Sequence, residues 1–244
     1  MTQSVIYRRA MNRRDCLKIA GAAAMLPFAP SAARAQSAQG QCTVDVGLKR
    51  LMLRHTWTTT MSSSEYRDTV QVEYRRDGVS GHGEGAPIVR YQEFPASAMK
   101  AVQAIANDIT AGDPWKYRKY LAGIRKALGE QQHAAMAAVD IAIFDWLGKK
   151  LDVPLYKFLG LDAADAPITD FSIGIDTPEI TRQKTREAED FPVLKVKVGL
   201  KTDEATIEAV RSVTRKPIRV DANEGWTDKE AVSYTHLDVY KRQA

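Results

Sequence analysis

The strongest constraint on the fold is an alternation of short apolar strands and polar helices in the second half of the sequence. Strand-like runs begin at Phe171, Val193 and Ile218, which lie 22 and 25 residues apart. Helix starts at Thr177 and Thr202 separate them. A helix between two strands returns the chain to the same end of the sheet, so the strands pair in parallel. The pattern therefore predicts a β/α segment, either from a barrel or from an open doubly wound sheet.

Strands come first and helices follow in the part of the chain before this alternation. Three strand-like runs between Val44 and Gly85, with a turn at Arg76–Gly78, predict an antiparallel meander. From Pro95 to Lys150 the apolar residues recur at helical spacing. The longest helix is predicted from about Gln131 to Lys149, with Gly148 as its stop. We therefore expect an α+β domain ahead of the β/α segment.

The formal charge of +5 lies entirely in residues 1–35. This segment holds six basic residues and one acidic residue, which leaves 29 of each sign in the rest of the chain. Since a neutral remainder gives no basic patch, we expect no nucleic-acid partner. With 44% hydrophobic and 27% charged residues, the composition also excludes a disordered or fibrous chain.

The same 35 residues have the three parts of an export signal. A basic start precedes the apolar run Ile19–Phe28, and Ala33-Arg34-Ala35 is a small-x-small cleavage site before Gln36. The stretch Asn12–Lys18 resembles the twin-arginine signal, with an ordinary secretory signal as the alternative. We expect export to the periplasm and no membrane association after cleavage, because the apolar run is too short to span a bilayer.

Two lysines alternate with valines in the predicted strand over 193–198. Lys195 and Lys197 therefore share one face of the strand. Alone, the pair is most simply an exposed strand face, but a parallel strand flanked by helices is buried on both faces. Each ammonium group disfavours the charge of its neighbour, so one lysine can serve as a neutral base. A base of this kind suits proton abstraction from carbon.

The next predicted strand ends in Asp221-Ala222-Asn223, at the carboxyl edge where α/β folds form their active sites. Asp221 and Asn223 share a face, and hard oxygen ligands of this kind suit magnesium. A turn or a helix cap is the commoner role of such an Asp-x-Asn sequence. Combined with the lysine pair, it predicts a base and a divalent cation on either side of a substrate carboxylate.

These motifs resemble those of the enolase superfamily, in its muconate-lactonizing subgroup. The similarity runs from about residue 44 to 231 and includes a capping-domain meander, the helix that enters a barrel, the loop after it and the first catalytic strands. The segments that carry it are Gly81–Glu84 with Pro87, Ala138–Asp145, Pro154–Gly160, Lys195–Lys197 and Asp221–Trp226.

The resemblance implies abstraction of a proton alpha to a carboxylate, with magnesium holding the enediolate. It makes Lys197 the base, Lys195 an electrostatic partner and Asp221 the first magnesium ligand. The candidate substrate contacts on the barrel strands are Thr169, Ser172 and Asn223.

Within the subgroup, the segment His55–Thr60 and the Ser62–Ser64 loop look most like dipeptide epimerases, in which this loop covers the site. An arginine present in some enzymes for acidic dipeptides has no secure equivalent, Arg67 being one candidate. The resemblance therefore implies a dipeptide or another small carboxylate as substrate, and a homo-oligomer for a full-length form. The alternatives are another reaction of the superfamily, such as muconate-type cycloisomerisation, and an exported solute-binding protein from a different class.

The resemblance also predicts that the chain is an N-terminal fragment. An eight-stranded barrel takes about 200 to 250 residues, whereas residues 166–231 number 66. The expected organisation is a signal peptide at 1–35, a capping domain at 43–160, a TIM-like barrel truncated after about three strands at 161–231, and a tail at 232–244 that resembles a translated sequencing adaptor. The remaining metal ligands and a second base have no counterpart, so we expect no turnover by the chain as encoded.

Overall fold

The computed structural model describes residues 42–227, which form an α+β domain followed by a short parallel β/α segment. The predicted signal peptide at 1–35 and the tail at 232–244 lie outside the described residues. Within the described range, no helix has both the length and the apolar composition that would let it cross a membrane. The expected order, strands and then helices and then alternating elements, is confirmed.

An antiparallel sheet of three strands begins the described chain. Its strands are β1 Thr43–Thr58, β2 Ser63–Arg76 and β3 Val79–Gly85, in the order β1-β2-β3. Asp77 and Gly78 close a tight hairpin between β2 and β3, and both have positive φ angles, 51° and 75°. The predicted meander is confirmed. Most of the segment from His55 to Ser64, part of which was expected to be a loop, belongs to the ends of β1 and β2. Its threonine and aromatic residues favour extended backbone.

Seven α-helices occur among the described residues. In chain order they are α1 Pro95–Ala104, α2 Ala106–Ala111, α3 Tyr117–Leu128, α4 His133–Leu151, α5 Leu155–Phe158, α6 Pro178–Glu187 and α7 Asp203–Arg211. Short 3-10 helices lie at Val89–Tyr91, Pro114–Lys116 and Ala163–Asp165. A proline begins both α1 and α6, at a position where its missing N–H removes no helical hydrogen bond.

The antiparallel sheet packs on α4 with backbone in direct contact. Strand β3 places Gly81, Gly83 and Gly85 at alternate positions on the face toward α4. A Cβ atom at Gly83 would lie 1.9 Å from the carbonyl oxygen of Ala138, so no larger residue fits there. Close approach of strand and helix builds the core of the α+β domain, which includes the fully buried Trp146.

Helix α4 continues past Gly148, the predicted stop, to Leu151, and the next residue, Asp152, has a left-handed φ of 53°. The carbonyl of Gly148 accepts the N–H of Val153 at 3.0 Å. A Cβ atom at Gly148 would lie 3.2 Å from the Val153 carbonyl oxygen. The glycine therefore allows the chain after the helix to pack closely, a role that its sequence position does not distinguish from a helix end.

The second sheet has three parallel strands, β4 Asp170–Ile173, β5 Val193–Lys197 and β6 Ile218–Asp221, connected by α6 and α7. One face of this sheet packs on the two helices, and the buried cluster there includes Ile173, Leu194, Val196, Val198 and Val210. This arrangement confirms the expected partial barrel. Because side chains alternate, Lys195 and Lys197 lie on the face away from the helices.

Candidate active site

Lys195, Lys197 and Asp221 meet on the polar face of the parallel sheet. Lys197 and Asp221 are partners in the register of β5 and β6, and Lys195 lies two residues earlier on the same face. The Nζ atoms of Lys197 and Lys195 lie 2.7 and 2.9 Å from Asp221 Oδ2. The Lys197 side chain is 10% exposed, whereas the Lys195 side chain is 36% exposed. The structure thus brings together the three charged residues that the sequence analysis singles out.

Both oxygens of the Asp221 carboxylate are engaged. Oδ2 binds the two lysines, and Oδ1 accepts the backbone N–H of Asn223 at 3.0 Å. The hydrogen bond from Lys197, followed by that from Lys195, holds the pKa of Asp221 well below its usual range. The carboxylate is therefore charged at neutral pH and lies as a fixed negative charge between two ammonium groups.

The end of β1 covers the carboxyl ends of the parallel strands. The Thr58 carbonyl accepts the N–H of Ile175, just after β4, at 2.9 Å. Thr60 Oγ1 donates to the carbonyl oxygens of Ala222 and Asn223, just after β6, at 3.3 and 3.2 Å. The α+β domain therefore closes one side of the polar face at the end where the lysines lie.

We call the end of β1 and the residues after it, 56–60, the cover. Trp57 is part of this cover and lies beside Lys197. The centroid of its ring is 6.0 Å from Lys197 Nζ, within cation–π range. Gly174 provides space for the ring, because a Cβ atom there would lie 3.3 Å from Trp57 Cε3. The sequence gives no periodic signal for this contact, since Trp57 stands in a threonine-rich segment far along the chain from its partner.

The three candidate substrate contacts fall in different places. Ser172 stands opposite Lys195 in the register of β4 and β5. Asn223 has a φ of 46° in the turn after β6, and its Oδ1 is buried with no hydrogen-bond partner among the described residues. Thr169 is exposed and precedes β4 at its amino end, so the structure does not bring it to the lysines. Alternation also directs Thr169 away from the face that carries Ser172.

Asp203 is a buried carboxylate that the sequence analysis misses. It accepts the N–H groups of Gly199 and Leu200 at 2.8 to 2.9 Å and the indole N–H of Trp226 at 2.7 Å. Gly199 has a φ of 111°, which the turn after β5 requires. An acidic residue in the first turn of a helix is common, so its position alone does not indicate this role. Asp203 links the loop after β5 to the segment after β6.

The described residues do not by themselves fit a magnesium ion. Magnesium demands near-octahedral oxygen coordination. Between residues 42 and 227, no group of three or more His, Cys, Asp or Glu side chains could hold a metal. Asp221 is also bound by two ammonium groups, which would repel a cation. The cluster thus offers one carboxylate toward a metal site, together with two groups that can carry a proton.

Several known proteins are similar to this chain. Residues 42–160 match the N-terminal domain family of mandelate racemase and muconate lactonizing enzyme. The L-Ala-D/L-Glu epimerase of Bacteroides thetaiotaomicron is 38% identical over 236 residues, a match that covers 90% of this chain and 60% of that protein. The hydrophobic dipeptide epimerase of Enterococcus faecalis is 34% identical over 197 residues, covering 78% of this chain and 55% of that protein.

A solved structure has the same fold over the described region. The dipeptide epimerase from Enterococcus faecalis V583, complexed with Mg and the dipeptide L-Leu-L-Tyr, matches with a TM-score of 0.72 at 33% identity. The match covers 81% of this chain and 58% of that chain. The present chain therefore spans a little over half the length of the relatives it matches.

Proposed function

Because the chain belongs to the enolase superfamily, we propose that it provides the capping domain and the first catalytic strands of a magnesium-dependent dipeptide epimerase. Such an enzyme inverts the alpha carbon of one residue of a dipeptide. Two relatives are named as epimerases of L-Ala-D/L-Glu and of hydrophobic dipeptides. The observation that carries the proposal is the convergence of Lys195 and Lys197 on Asp221.

Lys197 is the proposed base that removes the alpha proton. It is the less exposed of the two lysines and stands at the carboxyl end of β5, under the cover formed by β1. Lys195 stands two residues earlier on β5, on the same face as Lys197. Lys195 also places a positive charge where the substrate carboxylate gains electron density during proton abstraction.

The covered polar face is the proposed place for the dipeptide. Ser172 offers a hydroxyl group beside Lys195. Asn223 Oδ1, which has no hydrogen-bond partner between residues 42 and 227, offers an acceptor for an N–H group. Trp57 provides an apolar wall on the Lys197 side. A dipeptide has a carboxylate, a peptide N–H and side chains, which match these three kinds of contact.

Magnesium is proposed for the complete enzyme, with Asp221 as one ligand, since the Enterococcus faecalis structure is complexed with Mg. We propose in addition that the 244-residue chain does not turn over alone. Lys197 donates a hydrogen bond to Asp221, whereas a base must accept a proton. Inversion also needs a second proton-transfer group on the opposite side of the alpha carbon.

A chimera tests this proposal. Residues 42–226 of this chain replace the matching part of the Bacteroides thetaiotaomicron epimerase, which contributes the rest of the barrel. In deuterated water with magnesium, the chimera should exchange the alpha proton of L-Ala-L-Glu or of a hydrophobic dipeptide, as observed by proton NMR. The 244-residue chain should show no exchange under the same conditions.

Two lysine substitutions in the chimera serve as variant and control. Lys197→Ala should reduce the exchange rate by at least about a hundredfold, the lower range for loss of a general base. Lys149→Ala removes a lysine that is also ion-paired, 2.6 Å from Asp145 on α4, and should leave the rate unchanged. Exchange that survives in Lys197→Ala would refute the assigned base, and metal-dependent exchange by the 244-residue chain would refute its inactivity.

Export to the periplasm is proposed from the signal predicted at 1–35. Fusing residues 1–42 to a reporter that fluoresces after export in the folded state tests it. Replacing Arg13 and Arg14 by lysine should abolish periplasmic fluorescence. Reporter protein that reaches the periplasm without fluorescence, as detected by immunoblotting of the periplasmic fraction, would instead indicate an ordinary secretory signal.

A further inference from the structure

Lys184 is a buried lysine that the proposed mechanism does not use. It stands on α6 and is 4% exposed. Its Nζ atom lies 2.9 Å from Asp176 Oδ2 and donates to the Thr56 carbonyl at 3.4 Å. Burying the Lys184 ammonium group costs its hydration, and a single ion pair to Asp176, whose side chain is 24% exposed, seldom gives a net gain in stability. Stability alone therefore does not explain a lysine at this position.

The Thr56–Thr58 segment of the cover is held at both ends by the first β/α unit of the barrel. At one end Lys184 binds the Thr56 carbonyl. At the other end the backbone N–H of Ile175 binds the Thr58 carbonyl. The donors come from α6 and from the residue that follows β4 by two positions, so they fix the backbone of the intervening Trp57 on both sides.

Trp57 in turn limits the space next to the proposed base. Its ring lies 6.0 Å from Lys197 Nζ and packs where Gly174 has no side chain. A displacement of the segment by an ångström would change the width of the site on that side, and misplacement of this size can lower a rate a hundredfold. Pairing of Trp57 with Ser64 on β2 and the 2.7 Å contact of His55 Nε2 with Glu187 Oε2 also hold this part of β1. The bond from Lys184 adds a hold on the Thr56 carbonyl, directly before Trp57.

We propose that Lys184 is a positioning residue: it holds the Thr56 carbonyl and so fixes the Trp57 indole beside Lys197. The inference rests on the proposed function only in taking Lys197 as the base. Asp176 keeps the ammonium group directed at the cover, and its other oxygen accepts the N–H of Thr177 at 2.8 Å. The Lys184 side chain is thus held in one orientation, whereas an exposed lysine moves freely.

Fluorine NMR of the 244-residue chain labelled with 5-fluorotryptophan tests this role without requiring turnover. The chain has four tryptophans, and the loss of one resonance in Trp57→Phe assigns Trp57. Lys184→Met should shift or broaden the Trp57 resonance alone, and Lys184→Arg should restore it. Hydrogen exchange at the Ile175 amide should also rise about tenfold in Lys184→Met, the factor expected for loss of one charged hydrogen bond.

Lys149→Met is the matched control, since Lys149 also binds a carboxylate, Asp145, and a backbone carbonyl, that of Ser80. It should leave the Trp57 resonance unchanged. An unchanged Trp57 resonance in folded Lys184→Met, or equal changes in all four resonances, would overturn the proposal. Should Lys184→Met not fold, Asp176→Asn decides by the same two criteria. Failure of this test leaves the epimerase proposal standing, and absence of epimerase activity leaves this inference standing.

Discussion

Lys197 Nζ and Asp221 Oδ2 lie 2.7 Å apart on neighbouring parallel strands whose residues are in direct register. The contact joins the residue proposed as base to the carboxylate proposed as metal ligand. The Nζ atom of the more exposed Lys195 lies 2.9 Å from the same oxygen, and the hydrogen bonds from Lys197 and Lys195 together hold the pKa of Asp221 below its usual range. Substitutions of these residues should therefore change how the stability of the chain depends on pH, as well as the proposed chemistry.

Asp221→Asn should remove an acid-sensitive part of the stability. The pKa of Asp221 is lower in the folded chain than its value of about 3.9 in an unfolded one, so its contribution is present above about pH 4 and is lost as the pH falls further. At pH 7 the substitution should cost about 1 to 3 kcal/mol. Urea denaturation at pH 7 and pH 3 should show a smaller difference from the unmodified chain at pH 3, and a pH-independent difference would contradict the assignment.

Magnesium should not stabilise the 244-residue chain. The described residues offer one carboxylate to a metal, and two lysines already bind it. The melting temperature should be the same with millimolar magnesium as with EDTA. An increase with magnesium that disappears in Asp221→Asn would show that this chain alone forms the metal site.

Gly83→Ala should disrupt the packing of β3 on α4. The new Cβ atom would lie 1.9 Å from the Ala138 carbonyl oxygen, so strand and helix must separate, at a cost of about 1 to 3 kcal/mol or more. Gly123→Ala on α3 is the control, since nothing lies within 4 Å of the added atom, and it should gain about 0.5 to 1 kcal/mol. Denaturation midpoints of the two variants should move in opposite directions.

Asp203→Ala should destabilise the loops beside the site. Three N–H donors, those of Gly199, Leu200 and Trp226, lose their acceptor, and an unsatisfied buried donor costs about 1 to 3 kcal/mol. Asp162→Ala removes a similar but exposed bond to the Ala164 N–H and should change the stability by less than about 0.5 kcal/mol. Equal effects of the two substitutions on the free energy of unfolding would argue against a bracing role for Asp203.

Local patterns were sufficient to place the charged cluster. The side chains of a strand alternate with a fixed period, so the spacing of Lys195 and Lys197 determines that they share a face. Parallel pairing then brings Asp221 beside them, because β/α units align the carboxyl ends of their strands. The same rule explains why Thr169 falls elsewhere, since it stands an odd number of positions from Ser172 and at the other end of β4.

Contacts between distant parts of the chain could not be predicted in this way. The bonds from Lys184 to the Thr56 carbonyl and from Trp226 to Asp203 join residues with no common periodicity. The first depends on how the α+β domain packs on the barrel strands, and the second on how the segment after β6 packs on the start of α7. Neither packing geometry can be inferred from local sequence patterns. Sequence patterns therefore predict which residues share an element more readily than which elements touch.

The hydrogen bonds of the Thr60 hydroxyl determine an order of folding during translation. Its two acceptors, the carbonyls of Ala222 and Asn223, follow it by 162 and 163 residues. At ribosomal rates of about 5 to 20 residues per second, they are synthesised roughly 8 to 30 seconds after Thr60. During that interval the antiparallel sheet can form with α4, while the end of β1 lacks its attachment. The carboxyl edge of the parallel sheet, where the proposed base lies, is thus the last part of the described chain to be assembled during translation.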